Sequence, residues 1–268
     1  MANKVYDNFV LESMIEDQYN SYLDLLRFAT IDNSLTGTAG MKKIVNQYRA
    51  TNGTEKVGMG EGNSKSIEVD FTDAEYTIKC AQNNFKYYDE QAMTDPTAVQ
   101  TGIRHMAVDM FNTVNADIFA EFAKADSEHT ITGAFGFDVF ADAVATLNID
   151  GTDDATNAEV FAWVNPKDMA ALRKALKDEL KYNESYSRTG YLGTVAGINL
   201  FVKKDCPQGT IVGGTKGAVT VFNKKGTEVE QPPRSVDEAN IRQNAIFSRK
   251  YYVAAITDFG KAFKIVNA

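Results

Sequence analysis

Two cysteines, two histidines and one tryptophan are all that 268 residues contain of those types. Cys80 and Cys206 are too few and too far apart for a disulfide framework or a metal-binding spacing, so both read as reduced thiols in the core or at the surface. His105 and His129 lack a nearby Cys, Asp-His or Glu-His spacing, which makes them structural or exposed residues before bases or ligands. No HExxH and no GxSxG occurs. Gly58-Met59-Gly60-Glu61-Gly62 invites a phosphate-loop reading and fails it, because no Gly-Lys-Ser/Thr follows and polar strand-like residues stand where a helix should start. Gly213-Gly214-Thr215-Lys216-Gly217 fails for the same reason; these glycines suit flexible tips and tight turns. Carboxylates are plentiful, but no pattern pairs two of them for acid–base work. The expectation is therefore no catalytic, cofactor-binding or metal site, and no enzyme.

Long apolar runs are also missing. None approaches a membrane span, and Met1-Ala2-Asn3-Lys4-Val5-Tyr6-Asp7 has no signal-peptide pattern, so the default location is the cytoplasm of the producing cell. Basic residues are in deficit, 28 against 36 acidic, for a net charge of −8. That argues against a generic nucleic-acid-binding protein, which needs a basic surface, while leaving room for a container whose inner wall tolerates nucleic acid. Hydrophobic content of 44% and charged content of 24% suit a soluble globular chain of one large or two modest domains.

What is present is a long helix signal from Pro96 to Ala125. Asp95-Pro96 supplies a carboxylate N-cap and a proline at the first helical position. Val99, Ile103, Met106, Met110, Val114, Ile118 and Phe122 follow at helical spacing. Such a helix is roughly 45 Å long. A compact globule of this size is about 48 Å across. The molecule is thus a sphere with a central rod or a flat body with the rod as its spine.

Before that helix the period changes. Residues 1–33 are amphipathic, with Val10, Leu11, Met14, Ile15, Tyr19, Tyr22, Leu23 and Leu26: a first core helix, or an arm packed on a neighbouring subunit. Between Met41 and Lys79, Asn52-Gly53 signals a turn and Gly58, Gly60 and Gly62 follow closely. Ile67, Val69 and Phe71 alternate with Glu68 and Asp70, and Tyr76, Ile78 and Cys80 continue the alternation. Two long strands with a flexible tip result, reaching some 40 Å. Residues 50–65 hold almost nothing apolar to fold back onto the body, so a partner should order this arm.

After the long helix, Gly133 to Gly136 break the chain and Phe137 to Leu147 form a short amphipathic helix. Val160-Phe161-Ala162-Trp163-Val164 reads as a buried strand. Asn165-Pro166 starts a helix by the same cap-plus-proline logic, running through Met169, Leu172, Leu176 and Leu180. Strands are expected at Ile198–Val202, Thr210–Val212, Ala218–Phe222, Ala245 to Thr257 and Lys261 to Val266. Strands and helices mix without a regular βαβ alternation, so the fold class is α+β.

This order of parts resembles the major capsid protein of tailed bacteriophages, whose shell fold is shared with encapsulin nanocompartments. Phe161-Ala162-Trp163-Val164-Asn165-Pro166 is similar to the strand-to-helix step of that family's axial domain. Gly193-Thr194-Val195-Ala196-Gly197-Ile198-Asn199-Leu200-Phe201-Val202, with Pro207 and Gly209-Thr210-Ile211, resembles its later turn-and-strand run. The motifs are loose, and the specificity lies in their order along the whole chain. The resemblance implies an N-terminal arm (1–39), an extended β-hairpin loop (40–70), a peripheral domain with a long spine helix (71–126), an axial domain (127–244) and C-terminal strands returning to the body (245–268). No scaffolding-type extension precedes the arm, so a separate protein would supply that role. The opening residues also lack the N-terminal helix pattern of encapsulins.

The implied function is a structural subunit assembling into hexamers and pentamers of an icosahedral shell around double-stranded DNA, located in the virion capsid and assembled in the host bacterial cytoplasm. Its implied partners are other copies of itself, the packaged DNA held without sequence-specific binding, and portal, scaffold or cement proteins; no membrane is involved. Expected interface residues are Asn52, Gly53, Lys56, Gly58, Gly60 and Gly62 at the loop tip, and Met14, Ile15, Tyr19 and Tyr22 on the arm. Some relatives cross-link subunits through Lys and Asn; Lys56 and Lys65 lie near the tip, but the sequence displays no partner asparagine or acid. The alternatives are an encapsulin-like compartment holding enzyme cargo and an enzyme with no linear signature.

Overall fold

The computed structural model describes residues 25–50, 53–95, 97–125, 127–133, 135–147, 159–176 and 193–267. The chain enters through a 3-10 turn at Leu25–Phe28 and strand β1 (Thr30–Asp32). Strands β2 (Lys42–Ala50) and β3 (Val69–Thr77) form the projecting hairpin, and β4 (Lys79–Tyr88) re-enters the body. A short helix at Asp89–Thr94 precedes the spine helix, Thr97–Phe122, and β5 is Ser127–Ile131. A helix at Phe137–Thr146, β6 (Val160–Val164) and a helix at Pro166–Ala175 follow. The remaining elements are β7 (Thr194–Val195), β8 (Ile198–Val202), β9 (Thr210–Gly214), β10 (Val219–Glu230), a short helix at Val236–Asn240, β11 (Gln243–Ile256) and β12 (Ala262–Asn267).

The spine helix has 26 residues, shorter than its sequence signal. At 1.5 Å per residue it is about 39 Å long. Asp95 caps its start, its carboxylate accepting from the Thr97 backbone N–H at 2.9 Å and the Thr97 hydroxyl at 2.6 Å. The end comes early because the last turn tightens: Lys124 and Ala125 donate three residues back, to Glu121 and Phe122. The apolar stripe read from the sequence is the buried face, from Val99 through Ile103, Met106 and Val114 to Ile118 and Phe122. Arg104, His105, Asp109 and Asp117, off that stripe, are exposed. The helix is therefore a spine lying on a sheet and not a central rod.

Strands pair in three sheets. Among the described residues, a four-stranded sheet has the order β1-β10-β11-β4, a six-stranded sheet has the order β5-β12-β9-β6-β8-β7, and β2 and β3 pair only with each other. The last two strands go to different sheets: β11 lies in the first and β12 in the second. The spine helix packs on β4 and β11. Its second half joins the two sheets. Val114, Ile118 and Phe122 share one core with Val219, Val221 and Ile256 of the first sheet and Phe161, Trp163 and Val212 of the second. Phe122 lies 5.0 Å from Trp163 and 5.5 Å from Phe161, ring centre to ring centre, both edge-to-face. Each such side chain contributes roughly 1.5–3 kcal/mol by leaving water.

Beyond that junction the six-stranded sheet has a core of its own with the helices at 137–146 and 166–175, including Phe140, Leu172, Ile198 and Phe263. The Asn165-Pro166 start is built as the sequence predicts: the Asn165 side chain accepts from the Lys167 N–H at 3.0 Å. It also donates to the Cys206 carbonyl at 2.7 Å, tying the helix start to the turn before β9. Cys206 itself is buried, and burial pushes its thiol up to about 11, so it stays protonated and inert. Among the described residues no helix is long and apolar enough to cross a membrane.

Candidate subunit interface

The hairpin is the part of the described chain that packs least on the rest. Nine residue pairs run from Lys42↔Thr77 to Ala50↔Val69. Among the described residues, its contacts with the body lie at its root. Val45 is buried against Phe222 and Ala255, the Lys43 ammonium sits 4.6 Å from the centre of the Phe222 ring, and the Ile78 N–H donates to the Met41 carbonyl at 2.8 Å. The alternation from Ile67 to Cys80 reads as one strand in sequence. In space it is two, because Ile78 interrupts it, with β3 on one side in the hairpin and β4 on the other in the body.

The tip has an order of its own, centred on Glu55. Its carboxylate accepts from the Ser64 N–H and hydroxyl, both at 2.9 Å, and pairs with Lys65 at 3.8 Å. Those Ser64 bonds, and the weaker ones from Lys65, hold its pKa below the usual carboxylate range. Asn63 donates to the Gly53 and Lys65 carbonyls at 3.1 and 2.6 Å, closing the loop neck. At Gly53 the strands come so near that an added Cβ would lie 2.6 Å from the Ile67 nitrogen. Gly58 and Glu61 bond to one another twice, through the Gly58 N–H to the side chain and the Glu61 N–H to the Gly58 carbonyl, both at 3.1 Å. Gly60 sits inside that turn at φ +86°, a conformation suited to glycine. Gly62 is in open space, and Lys56 is exposed. Asn52 and the arm residues Met14, Ile15, Tyr19 and Tyr22 lie outside the described residues.

The hairpin also presents apolar side chains to solvent that sequence reasoning did not single out. Met59 is fully exposed at the tip and Val57 is 48% exposed beside it; Ile44, Ile67 and Val69 are 57%, 61% and 56% exposed. Polar neighbours mask Val57 and Met59 in the sequence. The alternation of Ile67 and Val69 was the signal available, since one face of a two-stranded ribbon with no covering layer stays open.

A second feature lies on the body, where β4 meets the first turns of the spine helix. Two adjoining cavities, about 680 and 260 Å³, share Phe85, Gly102 and His105. Ala98 and Val99 form the helix wall, and the short helix Asp89–Thr94 closes one end. That short helix buries none of its residues and is held by ion pairs instead. Asp89 pairs with Arg234 and accepts from Asn244 at 2.8 Å, and Glu90 pairs with Arg242. No linear pattern announces this groove, because it is assembled from separate elements.

No family model and no curated protein sequence matches the chain. Solved structures do. The capsid of cyanophage P-SCSP1u superposes with a TM-score of 0.65 at 12% identity, covering 90% of this chain and 86% of that one. The capsid of a native GTA particle, computed with C5 symmetry, gives 0.65 at 13% identity, covering 91% and 96%. A virus-like particle from Pyrococcus furiosus gives 0.61 at 12% identity, covering 95% and 97%. Over nine-tenths of its length, this chain has the α+β shell fold of phage capsid subunits.

Proposed function

We propose that this protein is the structural subunit of a closed icosahedral shell, assembling into hexamers and pentamers around double-stranded DNA. One observation carries the reading: a capsid-type fold along the body, from which a two-stranded sheet projects, packed among the described residues at its root. Isolated two-stranded ribbons are marginal in water. Extensions of this kind add modest contacts to neighbours, and symmetry multiplies them. That the GTA capsid is one computed with C5 symmetry is in keeping with the pentamer part of the reading. The net charge of −8 suits a wall that DNA passes without being gripped, which also favours packaging without sequence-specific contacts. The role is structural, its place is the virion capsid, and assembly occurs in the host bacterial cytoplasm, where portal, scaffold or cement proteins would join it.

In this reading the hairpin tip lies over an adjacent subunit, and the parts follow the divisions 1–39, 40–70, 71–126, 127–244 and 245–268. Light scattering of the purified protein tests shell formation directly: particles are expected, and a stable monomer overturns the reading. Nuclease-protected DNA inside particles recovered from the producing cells separates a virus shell from a cargo compartment.

A further inference from the structure

The short helix Asp89–Thr94 is fastened by polar bonds more than by packing. None of its residues is buried, and Met93 is 72% exposed. Ala92 is the side chain it lays against the core between the spine helix and strands β10 and β11. Its fastenings come from residues 234–244, on either side of the helix at Val236–Asn240. Arg234 pairs with Asp89 and donates through Nε to the Asn244 side chain at 2.9 Å. Asn244 in turn donates to the Asp89 carboxylate at 2.8 Å. Arg242 takes hold twice: its guanidinium pairs with Glu90, and its carbonyl accepts from the Asp89 N–H at 3.1 Å.

Arg242 does this from a strained backbone. At φ +54° it is one of two non-glycine residues in the left-handed region among those described. It follows the cap of the helix at Val236–Asn240, where glycine is the usual choice because a Cβ is crowded there. A residue in that conformation stays in it only while its surroundings fix it, and the bonds to Asp89 and Glu90 are part of what fixes this one.

What the helix covers is apolar. Gln91, Ala92 and Thr94 form an end wall of the 680 Å³ cavity, whose other walls include Phe85, Gly102 and the buried Val99. Charged fastenings beside an apolar floor make a switchable arrangement. Neutralising the charges or adding salt weakens the fastenings and leaves the packing of the floor untouched. We propose that helix 89–94 is a lid on this groove, latched at Arg242, which swings away as a unit when its ion pairs are broken and leaves the rest of the fold in place. The lid is a property of one chain and stands apart from the shell reading.

Thiol labelling of the full chain at neutral pH tests it. Cys80→Ser removes the exposed native thiol, and Val99→Cys sets one on the groove floor. Cys206, buried beside β6 and β9, is the internal reference. N-ethylmaleimide labelling of both sites is followed by peptide mass spectrometry, with and without the added pair Asp89→Asn and Glu90→Gln. With the latch broken, labelling at position 99 should rise at least ~10-fold while Cys206 stays within about twofold, as local opening requires. An unchanged rate at position 99 overturns the lid. If both sites speed up together, the variant has loosened the whole fold, and salt on the protein with Asp89 and Glu90 intact decides. A rise of at least ~3-fold at position 99 alone in about 1 M sodium chloride upholds the lid, and no such rise overturns it.

Discussion

The ring of Phe85 closes on the backbone of Gly102: a Cβ at Gly102 would lie 2.4 Å from Phe85 Cζ and 2.5 to 2.6 Å from both Cε atoms. Gly102 is in the interior of the spine helix, where alanine would ordinarily gain about 1 kcal/mol. Here overpacking costs about 1–3 kcal/mol and outweighs that gain. Gly102→Ala is expected to lower stability by about 1 kcal/mol in urea denaturation. Adding Phe85→Leu should restore part of the loss, and a stabilised single mutant would contradict the contact.

Phe122 connects the two large sheets through Phe161 and Trp163, so its truncation reaches beyond one layer. Phe122→Ala should cost about 3–5 kcal/mol. Trp163, the single tryptophan, reports on this junction. Its fluorescence transition and the far-ultraviolet circular dichroism transition should shift together, as expected if the sheets unfold as one unit.

Acid should loosen the short helix at 89–94 before the rest. Hydrogen bonding from Arg234, then from Asn244, holds Asp89 below the usual carboxylate range; Glu90 is lowered as well, by its own backbone N–H first and then by Arg242. A carboxylate depressed in the folded state lends stability above its unfolded pKa and loses it as pH falls through the folded value. Amide exchange across residues 89–94 should therefore quicken below the ordinary carboxylate range, near pH 4 and lower. Asp89→Asn should remove part of that pH dependence and show faster exchange already at neutral pH.

Glu55 separates tip order from body stability. Glu55→Ala removes the acceptor that Ser64 and Lys65 share, far from every core cluster. Thermal unfolding of the body should stay within about 0.5 kcal/mol of the parent. Shell yield by electron microscopy should fall. Deleting residues 52–64 should go further, leaving a folded protein that makes no normal shells; normal shells from that deletion would refute the role given to the tip.

The parts legible in the sequence were those whose signals are local. Helical spacing from Val99 to Phe122, the Asp95 and Asn165 caps and the buried run Val160–Val164 each depend on a few neighbouring residues, and each is built as read. Pairing is not local. Nothing in the alternation from Ile67 to Cys80 marks Ile78 as the point where one sheet gives way to another. Strand β4 escaped notice because Lys79–Tyr88 holds polar residues on its exposed positions and few apolar ones between them, and β5 is a short segment, SEHTI. Helix ends drifted by a few residues because the last turn is decided by tightened hydrogen bonds and not by composition. The groove was invisible for a further reason: a cavity is a property of the space between elements.

Ile78, 3% exposed, is the sole residue between a strand of the arm and a strand of the body. A nine-residue strand is about 30 Å long, so turning by 10° at that joint sweeps the far end through roughly 5 Å. In the proposed shell, copies set at slightly unequal spacings would be reached by small changes in the dihedral angles of one anchored position, while the ladders on either side keep their register.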